Sequence, residues 1–131
     1  MNEAIELHDS ELVAVTFSGG EAVVSFSPAY VHRSIGQPGT DAGSGFLQPA
    51  TLTLSSASLT SEATRFPATI SDGYLRIGSN FHANIIPASG TFSGAIELSL
   101  TLSTAEALTI RAQRISIQLH EKPSYVESFN Q

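Results

Sequence analysis

The chain has 131 residues and a formal net charge of -6, with one lysine and five arginines against twelve acids. That balance excludes a nucleic-acid backbone as partner, since phosphates need clustered cations, and equally an anionic membrane surface. The lack of cysteine excludes a disulfide framework and a thiolate metal site. No run reaches the ~18 apolar residues of a spanning helix. The acidic start, Met1 to Glu6, lacks the order of a secretory leader, so the expected setting is the cytoplasm.

Charged residues are only 14% of the chain, and nineteen serines and eleven threonines fill the gap. Threonine fits a pleated strand through its branched Cβ, and serine fits turns. The elements follow that lead. Ala4 to Leu7 reads as a short first strand running into His8-Asp9-Ser10. Glu11 to Ser18 and Glu21 to Ser27 form a hairpin about Gly19-Gly20. With a two-residue loop there, Phe17 faces Ala22, Val15 faces Val24 and Val13 faces Phe26, all on one apolar face. Ala29 to Ser34 continues the second strand beyond Pro28, which has no N–H to donate and so belongs at an edge or a bulge.

Ile35 to Gly45 holds four glycines and a proline and reads as a loop. Leu47 to Ala57 alternates and folds back, with Ser34 opposite Phe46, Tyr30 opposite Ala50 and Phe26 opposite Leu54. Ser58 to Phe66 is polar and reads as a connection. A second hairpin, Phe66 to Gly78, is expected about Asp72-Gly73, setting Ile70 opposite Leu75 and Ala68 opposite Ile77. Ser79 to Gly90 has room for one more short strand. Gly94 to Ser103 alternates without error, Ile96, Leu98, Leu100 and Leu102 inward. Ser103-Thr104-Ala105-Glu106 fits either a capping box with one turn of helix or a plain loop. Leu108 to Leu119 changes phase near Gln113-Arg114, as a β-bulge would make it. Pro123 to Gln131 is an edge strand or a docking segment.

Eight to ten short strands without an interior linker give one all-β domain over residues 1–131. It is expected to be an antiparallel β-sandwich or flattened barrel, jelly-roll-like among the options, with at most one short helical turn. Its expected core is Val13, Val15, Phe17, Val24, Phe26, Leu52, Leu54, Ile70, Leu75, Leu98, Leu100, Ile115 and Ile117.

No motif names a chemistry. The histidines, His8, His32, His82 and His120, lack H-x-H or H-x3-H spacing, so a metal centre would need them to converge in space. His8-Asp9 and His120-Glu121 do place a carboxylate beside an imidazole at a strand end. The loop Gly36 to Gly45 has no lysine and leads to a strand, so it is no phosphate cradle. Gly43-Ser44-Gly45 is not a G-x-S-x-G elbow. Arg76, Arg111 and Arg114 alternate away from apolar neighbours, either as a cationic strip or as a solvated face shared with glutamates. No catalytic residue, metal or cofactor is expected.

His32 shares the parity of Tyr30, Pro28 and Phe26, and in the register above it faces Gln48. That places a polar pair at the loop end of an apolar face, beside Asp41. Tyr30, His32, Asp41 and Gln48 are therefore the candidate ligand-binding residues. The expected function is a non-enzymatic binding or interaction module, with an unknown protein or a second copy as partner. The alternatives are a small-ligand or sugar pocket near Tyr30, His32 and Gln48, and a histidine-based metal enzyme.

His8-Asp9-Ser10 followed by an alternating strand and hairpin resembles the start of small bacterial all-β proteins of the immunity or accessory type. The resemblance is confined to the N-terminal hairpin region and carries over no catalytic residue. It implies a bacterial cytoplasmic protein that works by contact with another macromolecule.

Overall fold

Gly19 and Gly20 both take left-handed backbone angles, φ +60° and +76°, which a two-residue hairpin loop requires and glycine supplies at no steric cost. The computed structural model describes residues 1–130, so Gln131 of the predicted tail lies outside the described residues. Eleven strands follow one another: β1 (Asn2–Glu6), β2 (Glu11–Ser18), β3 (Glu21–Ser34), β4 (Gly43–Ser55), β5 (Ser58–Ser61), β6 (Ala68–Ile77), β7 (Asn80–Ala83), β8 (Ile85–Pro87), β9 (Gly90–Leu102), β10 (Ala107–Leu119) and β11 (Ser124–Phe129). Every pairing is antiparallel, and no helix occurs among the described residues.

Six strands close on themselves in the order β2-β3-β4-β10-β9-β6 and back to β2. The closing seam is short: only Glu11 with Thr69 and Leu12 with Ala68 pair across β2 and β6. Inside lie Leu12, Val24, Phe26, Leu52, Leu54, Ile70, Leu75, Leu98, Leu100, Ile110 and Ile115, all buried. β1 and β8 extend the sheet from the second half of β3, β11 adds to the start of β4, and β5 and β7 flank β10 and β6. Ser58 to Phe66 is thus not only a connection.

The first hairpin pairs as its turn dictates, with Phe17 opposite Ala22 and Val15 opposite Val24. Beyond that, Val13 is one extra residue, and Leu12 rather than Val13 meets Phe26. Val13 is therefore only half-buried. Phe17 runs out past the barrel's end and is 46% exposed. Neither belongs to the core.

No turn forms at Asp72-Gly73. β6 runs straight through it, Ser71 is the extra residue of a bulge against β9, and the chain reverses at Gly78-Ser79, with Ile77 opposite Asn80 and Leu75 opposite His82. A bulge shifts the apolar phase by one residue just as a turn would. Gly73 is required by crowding, because a Cβ there would press on the Ser99 carbonyl, Leu100 and Leu7.

The β3–β4 register also differs from the expected one. Phe26 meets Ala50, Val24 meets Leu52, Tyr30 meets Leu47, His32 meets Gly45 and Ser34 meets Gly43. Ser27 and Pro28 bulge between the two halves, as Pro28 suggested, and the bulge reverses which side chains face in. Ala29 and Val31 continue the core, while Tyr30, His32 and Ser34 turn to the outer face. Gly43 to Gly45 are strand, not loop. The change of phase expected in the last long strand does occur: the register with β9 shifts between Ala112 and Arg114.

Ser103 to Glu106 is a tight turn with Ala105 left-handed at φ +73°. The Glu106 carboxylate accepts from the N–H groups of Thr64 and Arg65 and from the Thr64 hydroxyl, pinning the β5–β6 connection. Those two backbone bonds push its pKa from 4.5 down to about 2. A lowered folded-state pKa contributes stability that is whole above about pH 4.5 and is lost as pH falls towards about 2. Glu106→Gln is therefore expected to lower Tm at neutral pH and to flatten the acid-side decline of Tm over that window. An unchanged pH profile from thermal unfolding would refute it.

Candidate functional site

Ser10, the last residue of the His8-Asp9-Ser10 motif, organises the site from below. It is fully buried, its hydroxyl donates to the Glu6 carbonyl at 2.6 Å, and it accepts the Tyr30 N–H at 2.9 Å. β1 is thereby locked to β3 with Glu6 beside Tyr30 and His32 on the outer face. His32 is 7% exposed, and its Nε2 lies 2.9 Å from Glu6 Oε1. Its ring sits between those of Tyr30 and Phe129, with centroids at 5.1 and 5.2 Å. The Tyr30 hydroxyl donates to Glu127 of β11. Burial first, and then that bond, push the Tyr30 pKa up, so the phenol stays protonated and serves as a fixed donor.

Ile35 to Ala42 folds over this face. Thr40 and Asp41 donate their N–H groups to the Gln37 carbonyl, Asp41 Oδ2 accepts the Gln37 N–H at 2.6 Å, and Asn2 ties the loop down through the Gly36 carbonyl. Ser34 Oγ donates to the Ala42 carbonyl. Glu6, His32, Gly39, Asp41 and Phe129 then enclose a hollow of about 260 Å³. The loop also borders a larger hollow of about 430 Å³, where His82 is the one ionisable lining residue.

Of the candidate residues, Tyr30, His32 and Asp41 come together; Gln48 does not. It points into the barrel opposite Ala29, donates to the Glu121 carbonyl, and leaves its own amide oxygen buried without a partner among the described residues. The reason is the reversed facing of β3, which turns His32 away from the side that Gln48 shares. Glu6 and Phe129 were not singled out from sequence. They arrive through β1 and β11, whose pairings are non-local, and no local pattern marks them. His8 and His32 both approach Glu6, His8 Nδ1 lying 3.9 Å from Glu6 Oε2. His82 and His120 lie elsewhere, His120 bonded to the Thr51 hydroxyl.

Arg33, Arg65, Arg76 and Arg111 are paired with acids, while Arg114 and Lys122 have no ion pair among the described residues. Arg76 and Arg111 both pair with Glu97, which also accepts from the Tyr74 hydroxyl and has its pKa lowered, chiefly by that phenol and by Arg111. Arg76 and Arg111 thus form a face shared with a glutamate rather than a cationic strip. The site around His32 is the opposite case, an imidazole among carboxylates. Such a hollow offers acceptors to a ligand that brings donors. Compared with family models, curated proteins and solved structures, the chain matches none.

Proposed function

We propose that this protein is a non-catalytic binding module. It takes a small ligand rich in hydrogen-bond donors, a protonated amine or a polyhydroxylated sugar, in the hollow beneath the Ile35–Ala42 loop. The observation that carries this reading is the convergence of two carboxylates, Glu6 and Asp41, and a buried imidazole on one space of about 260 Å³. That volume suits a monosaccharide or a short diamine, near the lower end of ligand pockets. Phe129 supplies an apolar wall on which a sugar face or a cation can rest.

NMR titration with a panel of monosaccharides and small amines tests it. One member is expected to shift the His32 ring resonances saturably, and Asp41→Asn is expected to weaken that ligand by about tenfold, the loss of one charged acceptor. No movement of the His32 ring at millimolar concentrations of any member, or equal binding by Asp41→Asn, would refute the reading.

A second reading, an interaction surface for a protein partner or a second copy, is favoured by β11. That strand is paired on one side only and exposes Tyr125 and Val126. The expected cytoplasmic setting suits both, as does the contact with a macromolecule implied by the N-terminal resemblance.

A further inference from the structure

Outside the hollow, the turn that leaves β1 gathers a second set of groups. His8 Nδ1 lies 3.2 Å from Asp9 Oδ1 and 3.9 Å from Glu6 Oε2, and one ligand atom from each of the three lies within 4.8 Å of the others. We propose that Glu6, His8 and Asp9 bind a divalent transition-metal ion of the zinc class. Bonds of about 2.0–2.2 Å to nitrogen and oxygen place tetrahedral ligands about 3.4 Å apart, so small side-chain rotations bring all three onto one ion.

Three further observations support an ion at this cluster. The first is that its backbone is anchored: Ser10 holds the Glu6 carbonyl, Ser10 N–H bonds the Leu7 carbonyl, and the His8 N–H donates to Asn84 Oδ1 at 2.7 Å. The second is an outer support. Glu6 keeps one oxygen on the buried imidazole of His32 and turns the other to His8, the division of labour by which supporting residues orient a metal-binding carboxylate. The third is charge. Like most acids other than Glu3, Glu97 and Glu106, Glu6 and Asp9 have no arginine within ion-pair distance among the described residues, and the partners they do have are histidines. Two carboxylates this close without a fixed cation gain from a divalent one.

An imidazole with two carboxylates selects the zinc class over calcium and magnesium, which take oxygen alone. Three protein ligands leave a fourth position open to water or to a ligand group. The site shares Glu6 with the hollow but stands on its own geometry, and it goes beyond the proposed binding role.

Calorimetric titration of the chelator-stripped protein with zinc, joined to long-range 1H–15N spectra of the histidine rings, tests it. One ion per chain is expected, with the largest nitrogen shift at His8 Nδ1. His8→Ala and Asp9→Asn are each expected to weaken zinc by about tenfold or more. His8 is 54% exposed in its side chain, so its removal is expected to leave the fold intact, which circular dichroism checks independently. His120→Ala and Asp41→Asn are expected to leave zinc binding unchanged; loss of the amine or sugar response in Asp41→Asn with zinc binding retained separates the two sites. No heat at submillimolar zinc, equal binding by His8→Ala, or a largest shift at a ring nitrogen other than His8 Nδ1 would overturn the proposal.

Discussion

Leu98→Ala is expected to cost about 2–5 kcal/mol of unfolding free energy, and Phe17→Ala about 1 kcal/mol or less. Both residues alternate correctly in apolar strands, and on sequence both belong in the core. In the barrel, Leu98 is flanked by Leu75 on β6 and Ile110 on β10, and all three are fully buried. Paired strands hold it on both sides, so the walls of a new cavity cannot collapse and the cavity term adds to the lost burial. Phe17 instead sits where β2 has already parted from β6, beside a hollow of about 190 Å³ shared with Val15, Leu59 and Leu108. Its ring is 46% exposed, so truncation returns little area from the interior to water. For a domain whose total stability is about 5–15 kcal/mol, the first change removes a large fraction. Urea unfolding measures both. Equal costs would mean that the barrel interior extends past the β2–β6 seam and covers Phe17.

What could be read from the residues was what short-range physics decides. The Gly19-Gly20 turn needs only left-handed backbone and two strands in phase, and it pairs Val15 with Val24 as expected. Ile96 to Leu102 needs only period two, and all four apolar positions are buried. The failures share one cause, which is that a glycine or a phase change has more than one physical origin. Asp72-Gly73 looks like a turn, yet Gly73 is glycine because Ser99 and Leu7 crowd it from segments distant in sequence. Gly45 looks like loop, yet a Cβ there would strike the Tyr30 hydroxyl. Pro28 points to a bulge at Ser27-Pro28, but only the pairing shows that the bulge reverses the facing of His32 and sets Ala29, not His32, opposite Gln48. Tyr30, His32 and Asp41 were legible because one strand and one loop carry them. Glu6 and Phe129 were not, because strands near the two chain ends bring them in.

Gly43→Ala is expected to destabilise the protein by about 1–3 kcal/mol and to abolish ligand binding in the His32 hollow. Gly43 pairs with Ser34, and a Cβ on it would sit against the backbone carbonyl of Arg33. A flexible side chain could swing aside; a carbonyl inside a strand pair cannot, so β3 and β4 must part where the Ile35–Ala42 loop begins and ends. Ser34 would then lose its grip on the loop, since its hydroxyl bonds both the Ala42 carbonyl and the Gly36 N–H. Asp41 and Gly39 move with the loop, and two walls of the hollow go with them. Phe129 moves as well, because it pairs with Gly43 on the other side of β4. Ser44→Ala, one residue on and free of such crowding, is expected to stay within about 0.5 kcal/mol and to bind normally. The experiment is urea unfolding of both variants beside the NMR titration of the His32 ring. Wild-type binding by a folded Gly43→Ala protein would show that the loop does not shape the site, and the hollow would lose its claim to be one.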